Sequence, residues 1–376
     1  MSSISLPWRG ARMHIVHTES IGALGGQSLR LIDEARLLVE RRGHRCTVIG
    51  PQGSGFEAAA RARIAFVPFR FHGGSVHPLD LAKALRILRD LAPDVVHTHS
   101  SSDSWTFGLA ARLLSIPIVR GRHIAKPIPS SMFGRLVYTR LADAFTVSGR
   151  TIGRILVDAG VADPERVFDT PAGVDLARFD PSRKDVAGVR RELGIPPGAR
   201  VVGTACNLRL MKGIDTLVDA HAALLDAGAP DLWLVHAGGG GPTVLAELSG
   251  KATRQVLFLG FRTDIERVLG ALDLFVLASR ASEGVPQAIL QSMALRIPVL
   301  ATRVGGIPDV VEDGSTGFLV ERDDAVTLAA RMTEILGMPA SALEPILDRA
   351  RRMIVEEHTL ERVVESYERA YEVVTR

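Results

Sequence analysis

Short apolar runs alternate with helical patterns along almost the whole chain of 376 residues, and this alternation limits the fold more than any other feature. Six runs predict strands in the first half: MHIVHT, RCTVIG, IAFVPF, DVVHTH, PIVRGR and AFTVS. Six more follow in the second half: RVVGTACN, DLWLVHAG, QVLFLG, LFVLAS, IPVLAT and TGFLV. Strands that alternate with helices build parallel sheets covered by helices, so we predict an α/β fold. From Asp323 onward the pattern is helical throughout.

The alternation is interrupted near residue 180 by FDPSRKD, a polar stretch that contains proline and is typical of a linker. A chain of this length is also longer than a single hydrophobic core usually supports. We therefore predict two domains, residues 1–178 and 179–357, before the last helical segment.

The composition excludes several classes of protein. Hydrophobic residues make up 46% and charged residues 23%, and the net charge of +3 gives no general case for binding nucleic acid. No apolar run approaches the ~20 residues that cross a bilayer, and the N-terminus lacks the apolar core of a signal peptide. The two cysteines lie in strand-like runs, as buried thiols of a reducing compartment do. We expect a cytoplasmic protein.

Glycine-rich turns follow three of the predicted strands, at 22–27 (GALGGQ), 236–242 (HAGGGGP) and 304–309 (VGGIPD). Open parallel sheets bind ligands at the carboxyl ends of their strands, where glycine lets backbone amides approach a phosphate. A single turn of this kind is more often plain turn chemistry, but three turns at equivalent topological positions are better evidence for a phosphate site. Neither GxGxxG nor GxxxxGK[ST] occurs at these turns, which argues against a dinucleotide dehydrogenase and a P-loop NTPase.

The stretch SEGVPQAILQSMA, residues 282–294, places an acid just before a predicted helix. Pro286 suits the first helical position, and Gln291 then falls in the second turn. We expect Glu283 and Gln291 to face one cavity at the start of this helix. The alternative for Gln291 is a packed or solvated helix residue.

The segment 282–320, SEGVPQAILQSMALRIPVLATRVGGIPDVVEDGSTGFLV, resembles the donor-binding signature of the GT-B glycosyltransferases of family 4. GALGGQSLRLIDEARLLVERRGH, DVVHTHS, PAGVDLARFDP, LRLMKGIDTLVDAH and VLFLGFRTDI follow the order of that family. The resemblance implies two Rossmann-like domains that face each other across a cleft. It implies an acceptor bound mainly by residues 1–178, a nucleotide-sugar donor bound mainly by 179–357, and a C-terminal helix (about 358–376) that crosses back to complete the first domain.

The resemblance also assigns roles in the predicted donor site. Glu283 matches the carboxylate that contacts the donor sugar, and Lys212 matches the lysine that binds the donor diphosphate. Gln291 stands where the family usually has a second carboxylate, which hydrogen-bonds the ribose. A glutamine still accepts a hydrogen bond from a hydroxyl but brings no charge, so we expect a changed donor affinity or nucleotide preference.

Other donor-site positions follow from the same resemblance. Asn207 stands in place of the arginine that usually accompanies the lysine, and Arg209 would supply the missing cation, with a plain surface charge as the alternative. Gly25 and Gly26 match the loop that lets the leaving diphosphate approach the first domain. The remaining donor contacts are expected from a glycine loop, the start of the predicted helix and a residue near the nucleobase: Gly240, Val285, Pro286, Gln287 and Arg262.

Two histidines stand at a predicted strand end, in DVVHTHS. We expect His97 and His99 to point to opposite faces, so that one reaches the site while the other packs. By the resemblance His99 lies near the reacting sugar; a structural role is the alternative. The sequence has no HxxxH or CxxC spacing and no DxD at the predicted site, so no metal cofactor is expected, and UDP or GDP is the expected donor nucleotide.

A basic stretch lies between Asp103 and Asp143, where no acidic residue occurs. Arg122, Lys126, Arg135 and Arg140 predict contact with an anionic acceptor, or peripheral contact with an anionic membrane at the inner face of the cell membrane. A solvated basic face is the alternative.

The implied reaction is sugar transfer with retention to a glycan or glycolipid, as in lipopolysaccharide or other cell-envelope synthesis. An amide at 291 cannot serve as nucleophile or acid–base, which fits a front-face route in which the leaving diphosphate takes the acceptor proton. The expected catalytic residues are Glu283, His99, Lys212 and Arg209. The rival interpretations are a nucleotide-sugar epimerase of the same architecture and a catalytically silent nucleotide-sugar-binding protein.

Overall fold

The computed structural model describes residues 12–23, 26–73, 76–229, 231–251, 255–281 and 283–376. Its strands are β1 (His14–Thr18), β2 (Arg45–Pro51), β3 (Ala65–Phe69), β4 (Val95–Thr98), β5 (Ile118–Arg122), β6 (Ala144–Val147), β7 (Val167–Asp169), β8 (Arg200–Ala205), β9 (Leu232–Ala237), β10 (Val256–Phe258), β11 (Leu274–Leu277), β12 (Val299–Thr302) and β13 (Phe318–Val320).

The α-helices of the same residues are α1 (Gly26–Arg42), α2 (Gly55–Arg61), α3 (Pro78–Leu91), α4 (Ser101–Leu113), α5 (Met132–Thr139), α6 (Arg150–Asp158), α7 (Val186–Glu192), α8 (Ile214–Asp226), α9 (Pro242–Lys251), α10 (Ile265–Gly270), α11 (Gln287–Ala294), α12 (Ala325–Leu336), α13 (Ala340–Glu357) and α14 (Leu360–Thr375). All twelve predicted strands are confirmed, as is the helical character of the chain after Asp323. The sequence pattern did not predict β7, because its three residues are too few to form a distinct apolar run.

The chain forms two compact units. The N-terminal unit comprises Met1–Ala172 together with Leu360–Arg376, and the C-terminal unit comprises Gly173–Thr359. Each contains one parallel sheet, with strand order β3-β2-β1-β4-β5-β6-β7 in the first and β10-β9-β8-β11-β12-β13 in the second. These are two Rossmann-like α/β domains, which confirms the predicted fold class.

The last helix of the chain is part of the N-terminal unit. Tyr367 and Tyr371 of α14 are fully buried. The hydroxyl of Tyr367 donates to Oε2 of Glu34 at 2.5 Å, and Arg30 pairs with the same carboxylate at 2.6 Å. A buried Arg–Glu pair is stable only when its remaining hydrogen-bonding groups are satisfied, and the tyrosine hydroxyl helps to do this. Packing and a polar network therefore hold α14 to α1.

The order of strands reverses direction at one place in each sheet. In the N-terminal unit this place lies between β1 and β4, and in the C-terminal unit it lies between β8 and β11. The loops that leave the carboxyl ends of the two central strands run apart there and leave a crevice, which is where open α/β sheets bind ligands. Among the described residues, no helix is long and apolar enough to cross a membrane.

Candidate active site

Lys212 and Glu283 meet at the carboxyl edge of the C-terminal sheet, where the strand order reverses. Lys212 ends a single 3-10 turn (Leu210–Lys212) after β8, and Glu283 lies in the loop after β11. Nζ of Lys212 is 2.5 Å from Oε1 of Glu283, and the two side chains are 25% and 10% exposed. A cation and a carboxylate are thus placed together where open α/β sheets bind ligands, and the role predicted for each of them in donor binding stays a prediction.

The carboxylate of Glu283 is fixed through one of its oxygens. Oε1 accepts from Lys212 and also from Oγ of Ser279, at 2.5 Å. The carbonyl of Ser279 in turn accepts from Oγ1 of Thr302 at 2.5 Å. Oε2 has no hydrogen-bond partner among the described residues and is not fully buried. The side chain is therefore held in position with one oxygen available to accept from a ligand hydroxyl.

The main chain of Glu283 is held by the glycine turn after β12. The amide of Gly306 donates to the carbonyl oxygen of Glu283 at 3.1 Å. Gly305 has a φ of +56°, and a Cβ there would collide with that same carbonyl oxygen. Glycine is required at 305 both for its left-handed backbone and for this close approach. The turn VGGIPD therefore serves to position Glu283.

The loop that carries Lys212 is tied to the loop that carries Glu283 by Arg280. The amide of Arg280 donates to the carbonyl of Met211 at 2.9 Å, and its Nη1 donates to the carbonyl of Leu210 at 2.8 Å. Its Nη2 is 2.7 Å from Asp215. The sequence analysis missed Arg280, Ser279 and Thr302. The sequence signal for Ser279 and Arg280 was that two polar residues directly follow the apolar run LFVLA.

The glycine loop after β9 lies against the chain that leaves β8. The amide of Leu208 donates to the carbonyl of Gly239 at 3.0 Å, and a Cβ on Gly238 would collide with the carbonyl of Cys206. Gly240 has a φ of +106°. The side chains of Asn207 and Arg209, beside this loop, have no hydrogen-bond partner among the described residues, and Arg209 is exposed. Both remain predicted donor contacts.

Helix α11 begins one residue later than predicted. Pro286 precedes it with extended backbone angles, φ −71° and ψ 126°, and the first helical residue is Gln287. Val285 is buried, whereas Pro286 and Gln287 are partly exposed. Gln291 is partly exposed, and its side chain makes no hydrogen bond within the described part of the chain. The shared cavity with Glu283 stays a prediction.

Arg262 is engaged in surface ion pairs. Its guanidinium forms two 2.8 Å bonds to the carboxylate of Asp264 and one of 3.0 Å to Glu192. These hydrogen bonds raise the pKa of Arg262. A contact between Arg262 and a nucleobase would have to share or replace these hydrogen bonds.

Two glycines were predicted as donor contacts in the loop after β1. Gly25 lies outside the described residues. Gly26 is the first residue of α1, with open space where a Cβ would stand.

Four histidines cluster where the strand order reverses in the N-terminal unit. The prediction that His97 and His99 point to opposite faces was wrong, because residues two apart on a strand share a face. Their rings lie 4.1 Å apart between centroids. His99 contacts Nδ1 of His17 at 3.1 Å and Nε2 of His123 at 3.2 Å, while His97 bonds Tyr371 and Thr146.

The histidine cluster is electrically neutral at neutral pH. Burial lowers the pKa of His17 and of His123 to about 3, and it holds the pKa of His97 and His99 well below the usual value. Gly121 of β5 makes room for the rings, since a Cβ there would come within 3.0 Å of both His99 and His123. The sequence analysis missed His17 and His123, each of which lies at or just after a strand end.

A buried carboxyl group follows β1 at the same edge. Glu19 accepts from the amide of Ile21 at 2.9 Å and from the side-chain amide of Gln27 at 2.6 Å. Burial, together with the nearby Asp103, raises the pKa of Glu19 to about 7. Gln27 also donates to the carbonyl of His99 at 3.3 Å. Glu19 was not predicted, and its signal was an acid directly after an apolar strand.

Two groups of the described residues bring possible metal ligands within 4.8 Å of one another: His17, His97 and His99, and separately His72, His77 and Asp80. Both belong to the N-terminal unit. The spacing rules applied to the sequence did not find them, since the first group comes from two different strands. Lys212 and Glu283 are in neither group.

The basic stretch does not form one surface. Arg122, predicted to face an acceptor or membrane, is only 7% exposed, because its guanidinium packs 5.4 Å from the ring centroid of Tyr138. Arg135 is partly exposed and donates to the carbonyl of Ala159 at 2.7 Å. Lys126 and Arg140 are exposed. Arg122 is therefore not part of an exposed basic surface, whereas its contact with an anionic acceptor stays a prediction, as do the contacts of Lys126, Arg135 and Arg140.

Comparison with known families matches both halves of the chain. The family described as "Glycosyltransferase Family 4" matches residues 24–178, and the family described as "Glycosyl transferases group 1" matches residues 199–338. The second match includes the whole of the site around Lys212 and Glu283.

Among curated relatives, the D-inositol 3-phosphate glycosyltransferase of Mycolicibacterium gilvum is 29% identical over 301 residues, which are 74% of this chain and 66% of that protein. The N-acetyl-alpha-D-glucosaminyl L-malate synthase of Bacillus anthracis is 30% identical over 195 residues, 52% of this chain and 51% of that protein. The chain thus spans about half to two thirds of the length of these relatives.

Among solved structures, Anabaena HepE in complex with UDP-glucose has a TM-score of 0.82 and 24% identity, over 96% of this chain and 99% of that one. The likeness extends over both units and is a likeness of fold. The two family matches, over residues 24–178 and 199–338, identify the family. The chain belongs to the group 1 glycosyltransferases of family 4 and has the GT-B fold.

Proposed function

We propose that the protein transfers a sugar from a nucleoside-diphosphate sugar, with UDP or GDP as the nucleotide, to an acceptor hydroxyl with retention of configuration. The observation that carries the proposal is the Lys212–Glu283 pair at the point of strand reversal, inside the segment that matches the group 1 family. The UDP-glucose in the HepE complex, a structure of the same fold, supports a nucleotide-sugar donor.

In the proposed reaction Lys212 stabilises negative charge that grows on the leaving diphosphate, with help from Arg209 and from backbone amides at the start of α11. Lys212 is available for this because its present partner, Glu283, can exchange the cation for sugar hydroxyls. Oε2 of Glu283 already lacks a partner. Glu283 would then orient the sugar, which is a positioning role at the reacting centre.

Retention without a protein nucleophile follows from the same residues. A double displacement as in retaining glycosidases uses two carboxyl groups roughly 5–5.5 Å apart. The second family position is the amide Gln291, which cannot act as nucleophile. We therefore propose a front-face route in which the leaving diphosphate oxygen takes the acceptor proton, and no metal is required for it.

We propose that the acceptor is a glycan or glycolipid that carries an anionic group and belongs to cell-envelope synthesis. The two curated relatives are named for inositol 3-phosphate and malate, both of which are anions. The exposed Met132 and Phe133 of α5, 82% and 54% exposed, follow Lys126 in the chain and support peripheral contact with an anionic membrane from the cytoplasmic side.

The test is a transfer and hydrolysis assay with UDP- and GDP-sugars, with and without lipid or glycan acceptors, in buffer that contains a chelator. We expect nucleotide release that depends on acceptor, and an α-linked product from an α-donor. Inverted product, or strict dependence on Mg²⁺ or Mn²⁺, would contradict the mechanism. Interconversion of the free nucleotide sugar would favour an epimerase, and binding without release would favour a silent binding protein.

A further inference from the structure

Strand β5 ends in two buried arginines on one face. Arg120 and Arg122 are two residues apart, so their side chains leave the sheet on the same side. They are 6% and 7% exposed. Their guanidinium carbons lie 4.5 Å and 5.4 Å from the ring centroid of Tyr138, in cation–π contact. The two cations are thereby held side by side at the carboxyl edge of the sheet.

The hydrogen-bonding capacity of these arginines is not met by the residues that the structure describes. Nε and Nη1 of Arg120 and Nη1 of Arg122 are buried without a hydrogen-bond partner among the described residues. Arg122 donates only to the main-chain carbonyls of Ile124 and Lys126. Within the same residues, neither guanidinium forms an ion pair with a carboxylate. Buried donors are nearly always paired in folded proteins, so three unpaired guanidinium nitrogens in one place call for an acceptor.

The local charge is not balanced. Asp103 lies near Arg120, but its carboxylate is committed to Thr18, Ser100 and the amide of His99. Burial lowers the pKa of both arginines, which records the cost of holding two cations out of water with so little compensation. A planar guanidinium fork matches the oxygens of a phosphate or carboxylate and binds them in pairs.

We propose that Arg120 and Arg122 form an anion site in the N-terminal unit, which binds the phosphate or carboxylate group of the acceptor. The inference rests on the proposed glycosyl transfer for the identity of the ligand as an acceptor, and on the unit's own geometry for the site. It assigns the anionic acceptor to the buried arginine pair rather than to the exposed part of the basic stretch.

Inorganic phosphate is the probe that tests the site, added as sodium phosphate at constant ionic strength in the presence of saturating UDP. The nucleotide occupies the donor site, so that phosphate cannot act there. We expect phosphate to raise the Tm of the wild-type protein saturably, and Arg120→Met to weaken that response at least tenfold in apparent Kd. Arg120→Lys should restore part of the response, because it keeps the charge without the fork.

The ligand-free stability of the variant separates a binding role from a structural one. If Arg120 serves a ligand, Arg120→Met removes an unpaired buried cation, and its Tm without phosphate should equal or exceed that of the wild type. If Arg120 serves the fold, the Tm falls and the phosphate response persists in what remains folded, which would overturn the proposal. Arg154→Gln, an exposed arginine on α6, is the matched control and should leave the phosphate response unchanged.

The source of the anion is distinguished by vesicles of phosphatidylglycerol and of phosphatidylcholine. Binding to phosphatidylglycerol alone, lost in Arg120→Met, identifies a lipid headgroup, whereas a response to phosphate without vesicle binding identifies a free phosphorylated acceptor. The proposal of an anion site is overturned if phosphate and malate do not raise the Tm of the wild-type protein and the protein does not bind phosphatidylglycerol vesicles. A protein that responds to phosphate but binds no nucleotide sugar keeps the site and contradicts the proposed function instead.

Discussion

The Nζ of Lys212 lies 2.5 Å from Oε1 of Glu283, although the two residues are 71 positions apart in the chain. They leave the two adjacent strands between which the order of the sheet reverses. Because Oε1 also accepts from Ser279, the ion pair is part of a network that fixes Glu283 before any ligand arrives. Donor binding would therefore use a carboxylate that is already oriented.

Replacing Glu283 by alanine is expected to lower kcat and kcat/KM together, by on the order of 100-fold or more, since the lost contact serves the transition state. Steady-state kinetics with the active donor, together with UDP affinity measured separately, check this. Glu321→Gln is the control, because the side chain of Glu321 is 77% exposed and, among the described residues, its ion-pair partner is the surface residue Arg303. A variant at 283 that only raised the donor KM would refute a role in the chemical step.

Gln291→Glu is expected to remain active and to change mainly the KM for the donor. The new carboxylate still accepts hydrogen bonds from ribose hydroxyls, and its charge, near the diphosphate, is partly offset by Lys212 and by the start of α11. Kinetics with both UDP- and GDP-sugars measure the change. If turnover collapses as deeply as in Glu283→Ala while nucleotide still binds, Gln291 belongs to the chemistry and the division of roles is wrong.

Gly305→Ala is expected to impair activity far more than Gly314→Ala. Both glycines have a left-handed backbone, with φ of +56° and +70°, so each substitution costs about 1–2 kcal/mol of stability from strain. Only at 305 does the added Cβ collide with the carbonyl of Glu283, whereas at 314 it meets open space. Urea unfolding and kcat/KM, measured on both variants, separate strain from displacement. Equal losses of activity would show that Glu283 does not depend on this turn.

Glu19→Gln is expected to flatten the pH dependence of stability between pH 4.5 and 7. The folded protein holds the proton of Glu19 up to about pH 7, against an ordinary pKa of 4.5, so the folded state binds more protons than the unfolded state in this window. The contribution of Glu19 to stability is then fully present below pH 4.5 and is lost as the pH rises to about 7. Thermal unfolding at pH 5 and pH 8 should show a gain in Tm for the variant at pH 8 only. An equal change in Tm at both pH values would show that Glu19 does not titrate between pH 5 and pH 8 in the folded protein.

Much of the fold follows from patterns that the sequence displays directly. Continuous apolar runs identify buried parallel strands, and Asp323 onward is helical because its apolar positions recur at helical spacing. A strand of three residues such as β7 leaves no such pattern. The neighbourhood of Lys212 and Glu283 was predictable because each lies in a segment that resembles the family.

The contacts that refine the site were not predictable, because they join distant segments. Arg280 acts on the loop of Lys212 through main-chain carbonyls, and a carbonyl is present at every residue regardless of sequence. The burial of Arg122 depends on Tyr138, which belongs to another element. The histidine cluster arises from the register of β1 against β4, which no local spacing encodes.

The attachment of α14 to the N-terminal unit joins segments that are synthesised at very different times. The hydroxyl of Tyr371 is hydrogen-bonded to Nδ1 of His97, 274 positions earlier, and its ring belongs to the same core cluster as Ile15 of β1. Domains generally fold in the order of their synthesis. Because α14 follows the C-terminal unit in sequence, we expect the N-terminal unit to complete its histidine cluster only after residues 173–359 have been synthesised.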